Sequence, residues 1–390
     1  MALVLLGAIA LGCSLFLAKD IDFIVYWKGV RLFLAGQAPL YGPKSGNGVP
    51  QEFRYPPVTV LFFMPLAKLP MRAASVCWSL VGWALCAWAS ALAIRRWKLT
   101  FTLTGAALAA LVLAHYAFLA AKFGNVQPHL IALTLLAMLC AEDRPAWSGV
   151  ALAVAVAFKV WPLFFAPWIF VRRRSALLYG VGATALLWLA PGPFFGWARY
   201  GVLLRDFFAH AVALAADPEQ VWYASQSLRG VLFRFFTHAV PLRDGYPDVS
   251  LAALSPVLVS VCNVMLTILA YGYAVAGVWR SPRSRRWLWD AAAFVFFSIL
   301  EPFSMNSGLI SLLPAVLAAA CVYSAPRGEY PEAARRWFLA ACVLSALASA
   351  TFYRPLQREV LMLGIHFWLM LALGASLVIA ARAAPAPKTR

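Results

Sequence analysis

Apolar runs closed by short basic clusters constrain this chain more than any other feature. Residues 72–94 end at Arg95-Arg96-Trp97-Lys98, residues 252–279 end at Arg280, and residues 359–381 lead to a tail holding Lys388 and Arg390. A helix needs roughly 20 apolar residues to cross the hydrocarbon core of a bilayer. Such runs recur along all 390 residues, of which 63% are hydrophobic and 12% charged. A water-soluble chain of this length has nowhere to hide that much apolar surface, so the predicted fold class is an all-α polytopic membrane protein. The net charge of +18 does not point to nucleic acid, because the basic residues are scattered through short loops between apolar runs. That is the pattern of membrane-flanking charge, and no nucleic-acid partner is expected.

Taken in order, the runs predict about twelve membrane segments. A first, uncleaved helix covers 2–18. A polar loop follows at 19–55, and 57–69 is apolar but too short to span, interrupted by Pro65 and Pro70. It reads as a juxtamembrane or re-entrant helix, so that 19–71 forms one outer loop. Spans follow at 72–94, 100–121 and 129–141. The run 147–171 is bounded by Arg144 and by Arg172-Arg173-Arg174, which places both its ends inside. It must bend, with Lys159-Val160-Trp161-Pro162 near the apex. Further spans are expected at 175–196, 252–279, 287–300, 308–323, 337–353 and 359–381, with a long outer segment at 197–250. Residues 1–382 form one domain in this reading and 383–390 a cytoplasmic tail. The seven cysteines lie in apolar segments without a Cys-x-x-Cys pair and are expected to be small core residues.

Two carboxylates, Asp20 and Asp22, stand at the exit of the first apolar run, ahead of aromatic residues. Charge at the edge of hydrocarbon is costly and asks for a reason. Residues 22–35 read as a short amphipathic helix on the membrane surface, with Asp22 and Tyr26 on one face at i, i+4 and Asp20 pointing elsewhere. Either aspartate marks the water end of a helix or serves as a base facing a cavity. Most other polar residues fall on the same outer side, including Arg54, Tyr55, Asn125, Gln127, His129, Gln226, Arg229, Glu301 and Asn306. Guanidinium groups suit a phosphate, and amides and aromatics suit a sugar, so an anionic lipid-linked sugar is the ligand class that fits.

The string Asp22-Phe23…Tyr26…Gly36…Tyr41…Phe53…Tyr55-Pro56-Pro57…Pro65-Leu66…Leu69-Pro70 resembles the start of family 87 glycosyltransferases. These are bacterial polyprenyl-phosphate-mannose-dependent mannosyltransferases of the GT-C superfamily. The likeness continues at Phe123-Gly124-Asn125-Val126-Gln127, from Gly149 through Lys159 to Pro162, and at Gln226-Ser227-Leu228. Family members often carry Gly-Gln-x-Asn where this chain reads Gly124-Asn125-Val126-Gln127. They often carry a Trp and His pair where it reads Ser304-Met305-Asn306-Ser307-Gly308.

The resemblance implies a GT-C-like bundle in the inner cell membrane. It implies inverting transfer of a sugar from a polyprenyl phosphate to a glycolipid or glycan hydroxyl on the extracytoplasmic face. Asp22 matches the family position of the base, with Asp20 second. A cation beside the leaving phosphate is expected, and Lys159, Arg54 and Arg229 are the choices. Each has a plainer reading, a snorkelling lysine or a headgroup-contacting arginine. Tyr26, Tyr55, Asn125, Gln127, His129, Gln226 and Asn306 are the expected sugar or acceptor contacts, although amides at helix ends also cap backbone. Neither a metal nor another cofactor is expected, since no metal-ligand spacing occurs. A transporter or flippase of a lipid-linked glycan is the rival reading. Charge collected at one face, rather than at the midplane of paired halves, argues against it.

Overall fold

The computed structural model describes residues 12, 20–41, 52–216, 221, 223–238, 246–301, 306–349 and 354–383. The expected first span at 2–18 apart from Gly12, the Gly- and Pro-containing loop at 42–50, and Ser304 and Met305 lie outside them. All regular elements among the described residues are helices, and the one bridge, Arg327 to Tyr330, is isolated. The chain forms two compact units. One comprises Gly7–Leu92 and Phe118–Ala216, and the other Met1–Leu6, Ala93–Ala117 and Asp217–Arg390.

In the first unit α1 (Ile21–Leu34) fills the predicted amphipathic stretch. Its stripe Phe23, Tyr26, Val30 and Phe33 follows helical spacing and is buried in the protein. The helix stops at Gly36, whose φ of 69° is left-handed and whose N–H bonds to Phe33 O. After Pro56-Pro57 comes α2 (Thr59–Ala67), nine residues with Pro65 inside, far too short to cross a bilayer. It packs on α1, and the Trp27 indole donates to Leu69 O at 3.1 Å. Next are α3 (Met71–Arg96), α4 (Leu103–Phe123) and α5 (Gln127–Cys140). Both α3 and α4 run past the boundary of this unit.

The run 147–171 is broken near the predicted apex. Helix α6 (Pro145–Phe158) breaks at Lys159, which is extended at φ −154° and ψ 132°. A 3-10 turn (Trp161–Phe165) and α7 (Ala166–Arg172) follow, then α8 (Arg174–Leu189) and α9 (Pro191–Phe195). Helices α6 and α8 meet at glycine. A Cβ on Gly149 would lie 2.4 Å from Gly180 N and 2.6 Å from Ala176 O, so only hydrogen fits there. The segment beginning at 197 opens with α10 (Trp197–Ala216).

The second unit holds α11 (Leu228–Phe236), α12 (Pro256–Arg280), α13 (Arg286–Leu300), a 3-10 turn (Asn306–Leu312), α14 (Leu313–Ser324), α15 (Glu332–Ser349), α16 (Arg354–Met362) and α17 (Ile365–Arg382). One expectation is corrected here. The run 359–381 is not a single helix, because Gly364 adopts φ 73° and separates α16 from α17. The cysteine expectation also needs revision, as Cys77 and Cys262 are exposed rather than in the core.

Among the described residues, five helical stretches are long and apolar enough to cross a membrane: Met71–Arg96, Leu103–Phe123, Arg174–Phe195, Pro256–Arg280 and Ile365–Arg382. Three shorter apolar helices, Gln127–Cys140, Pro145–Phe158 and Gly308–Ser324, add to them. The most exposed is α12, which shows Val257, Val261, Val264, Met265, Ile268 and Leu269 at its surface. A stripe of that size is stable against lipid and not against water.

Candidate active site

The two aspartates of the first loop have different surroundings. Asp20, just ahead of α1, has a φ of 49°, a left-handed conformation that aspartate tolerates better than most residues. Its side chain is buried. Oδ1 accepts from Ser75 Oγ at 2.6 Å, and Oδ2 lies 3.6 Å from Arg72 Nη1. Its backbone N–H donates to Lys122 O at 3.2 Å. Asp20 thus ties the start of α1 to the first turn of α3 and the end of α4, with its charge matched by an arginine.

Asp22 sits in the first turn of α1, half-buried, and its Oδ2 accepts a hydrogen bond from Asn125 Nδ2 at 2.8 Å. Burial pushes its carboxyl from 3.8 up to about 6, against the opposing pull of the Asn125 donor and the Lys159 charge. A carboxyl held there is ionised at neutral pH yet basic enough to accept a proton.

The segment Gly124-Asn125-Val126-Gln127 is folded against that turn. Gly124 has φ 65°, and a Cβ on it would lie 2.7 Å from Phe23 Cβ and 3.3 Å from Asp20 Oδ1. A side chain at this position meets both backbone strain and a clash. The Trp78 indole donates to Gly124 O at 3.3 Å. Asn125 Oδ1 accepts from the backbone N–H of Gln127 at 2.9 Å, satisfying a donor at the start of α5. Gln127 itself is buried, and its Oε1 has no hydrogen-bond partner among the described residues.

Aromatic packing walls the rest. Tyr26 and Tyr55 share a hydroxyl–hydroxyl bond at 2.7 Å, and the Tyr41 hydroxyl donates to Tyr55 O at 2.6 Å. The Tyr26, Phe63 and Trp78 rings follow in contact, at 4.9 and 4.8 Å between centroids. His129 stacks on Trp78 at 3.7 Å, over Gly82, where a Cβ would meet its ring at 2.4 Å. The histidine is packed deep in this cluster. Lys159, at the break after α6, is half-buried and near enough for its charge to act on Asp22. Arg54 is half-buried with its Nε unpartnered among the described residues, and beside it His210 Nε2 lies 3.4 Å from Glu52 Oε2.

The first unit therefore brings together Asp22, Tyr26, Tyr55, Asn125, Gln127, His129 and Lys159. Gln226, Arg229 and Asn306 belong to the second unit. Gln226 is fully buried and donates from Nε2 to Tyr223 O at 2.6 Å and Leu361 O at 3.0 Å. Arg229 lies over the Phe233 ring at 5.5 Å. Asn306 opens a 3-10 turn. The Asp20–Arg72–Ser75 anchor escaped sequence reasoning. The spacing of Arg72 and Ser75, three apart at the start of a helix, was its one trace. No group of three or more His, Cys, Asp or Glu with metal-binding geometry occurs among the described residues.

Two relatives bear on this arrangement. A polyprenol-phosphate-mannose-dependent alpha-(1-2)-phosphatidylinositol mannoside mannosyltransferase of Mycobacterium tuberculosis (strain ATCC 25618 / H37Rv) is 29% identical over 177 residues, 40% of this chain and 41% of that protein. A protein of the same description from Mycolicibacterium smegmatis (strain ATCC 700084 / mc(2)155) is 27% identical over 197 residues, 46% of this chain and 44% of its own length. The matched part thus spans less than half of either relative. The sequence profile of glycosyltransferase family 87 matches residues 53–300, well over half of the chain. On that match, carried through the Tyr55, Asn125 and Lys159 positions described above, this chain belongs to glycosyltransferase family 87.

Proposed function

We propose that this protein is a membrane glycosyltransferase. It moves mannose from a polyprenyl-phosphate-linked donor to a hydroxyl of a glycolipid, on the extracytoplasmic side of the cell membrane. Family membership supports the transfer reaction, and the activity of the two relatives supports the donor and a phosphatidylinositol mannoside acceptor.

The observation that carries the mechanism is the Asp22 carboxylate, lifted to about 6 by burial. In the proposed step Asp22 removes the proton from the acceptor hydroxyl as that oxygen attacks the anomeric carbon. The bond from that carbon to the phosphate oxygen breaks, and polyprenyl phosphate leaves with the electron pair. Attack opposite the leaving group inverts the anomeric configuration. Lys159 is assigned to the departing phosphate, where a fixed cation lowers the barrier, and Arg54 is its alternate in the same unit. Gln127 Oε1, buried and unpartnered, is assigned to a sugar or acceptor hydroxyl. Asp20 takes no part in proton transfer, because Arg72 and Ser75 already hold it.

The test is transfer by purified protein from radiolabelled polyprenyl-phosphate-mannose to phosphatidylinositol mannoside. Label in a new glycolipid is expected from the wild type and not from Asp22→Asn. Turnover at the wild-type rate by Asp22→Asn would overturn the assignment of the base, and no transfer by the wild type from this donor would overturn the substrate. Lys159→Ala should raise the donor concentration needed for half-maximal rate, and an unchanged requirement would remove Lys159 from the phosphate site.

A further inference from the structure

We infer that Asn125 is a positioning residue for the Asp22 carboxylate. A primary amide carries two N–H donors and an oxygen with two lone pairs, so which end meets which partner is set by its orientation. At Asn125 the oxygen is taken by the Gln127 backbone N–H at 2.9 Å, and the nitrogen faces Asp22 Oδ2 at 2.8 Å. Rotating the amide by half a turn would set two donors against each other at α5 and an oxygen against the carboxylate. Both contacts would be repulsive, so the cap at α5 fixes which way the amide points.

The distance is fixed as well. Gly124, left-handed and without a side chain, lets this turn close onto Phe23, and the Trp78 indole holds the Gly124 carbonyl from the other side. Asn125 therefore reaches Asp22 from a backbone that cannot retreat. One carboxylate oxygen is bound by the amide, and Oδ1 is left to meet the acceptor hydroxyl. A neutral donor on the carboxylate also favours its ionised form, which holds the acid limb of activity below where burial alone would put it.

This assignment rests on Asp22 acting as the base, and the experiment separates the two. The measurement is kcat/KM against pH for wild type, Asn125→Ser and Asn125→Ala, with Asp22→Asn as control. Serine keeps an oxygen able to cap α5 but is too short to reach Asp22, so this variant should fold with an unchanged melting temperature. The acid limb of Asn125→Ser is expected to move up by about 0.5–1 pH unit, matching one lost hydrogen bond. Its rate should fall roughly two- to fivefold near pH 6 and recover at alkaline pH. Asn125→Ala should show the same shift on a less stable protein. An acid limb that stays in place while the KM for donor or acceptor rises would overturn the proposal and return Asn125 to the sugar. Activity of Asp22→Asn would instead sink the underlying choice of base.

Discussion

Two turns in this molecule are built on the same device and put to different uses. Gly124 and Gly364 are both left-handed, at φ 65° and 73°, and neither has room for a side chain. A Cβ on Gly364 would lie 2.9 Å from Val231 Cγ2. Around Gly364 the buried donors end on backbone carbonyls. Gln226 gives to Leu361 O, Arg234 Nε gives to Met362 O at 3.0 Å, and Arg234 Nη1 gives to Ser225 O at 2.5 Å. Leu361 O, already bonded to the Gly364 N–H, gains a second donor, and Met362 O takes its donor from Arg234, which closes the helix. Around Gly124 the half-buried Asn125 donor ends on a carboxylate that can gain or lose a proton near pH 6. At Gly364 the donated bonds tie fixed side chains to backbone. The carboxylate proposed for chemistry keeps a charge that can change.

The sharpest way to break this contrast is Asp22→Asn. Transfer should drop by roughly 10³-fold, within the usual range for a lost general base. The fold should not suffer. The folded carboxyl holds its proton more tightly than the unfolded chain, so folding stability falls as pH rises from 3.8 toward about 6 and is level above. Removing that ionisation should stabilise the variant at neutral pH by roughly 2 kcal/mol, read as a higher Tm in detergent. A lower Tm would mean that the carboxylate supports the structure after all.

Arg234→Met tests the other turn. It strips donors from Met362 O and Ser225 O inside the protein and should cost about 3 kcal/mol in stability. The acid limb of any remaining activity should stay where it is in the wild type. The smallest effects are expected from alanine at the two glycines, each about 1–2 kcal/mol from the left-handed backbone, before any clash. Gly124→Ala should also displace the acid limb, because it pushes the Asn125 turn away from α1, whereas Gly364→Ala should not. Equal pH profiles for the two variants would erase the distinction between the turns.

Much of this was legible in the sequence, and what was not has physical reasons. Length and composition alone identify α3, α4 and α12, because a membrane span is a count of apolar residues. The break at Lys159 follows from basic residues at both ends of 147–171 and from Pro162. The break at Gly364 does not, since glycine is common in spans and hydropathy carries no record of φ. Helix α10 lies in a stretch holding Arg199, Arg205, Asp206 and His210, too polar for the span criterion that found the others. At the site, sequence could place Asp20 and Asp22 on a helix start but not choose between them. Arg72 and Ser75, which bind the Asp20 carboxylate, come from fifty residues away. Asn125 looked like a sugar ligand because an amide in a loop offers both a donor and an acceptor. Only coordinates reveal that the same amide bonds Asp22 and the start of α5.

The glycine contact between α6 and α8 reaches further than its own neighbourhood. From Gly149 the helix runs ten residues to Lys159, an arm of about 15 Å at the usual helical rise. Forcing a methyl group into the crossing would tilt that arm, and a tilt of only about 5° would swing its far end by about 1.3 Å. Displacements of that size between reacting groups are enough to slow an enzyme about a hundredfold. The spot where two bare backbones touch is thus the fulcrum that sets where the ammonium ion stands.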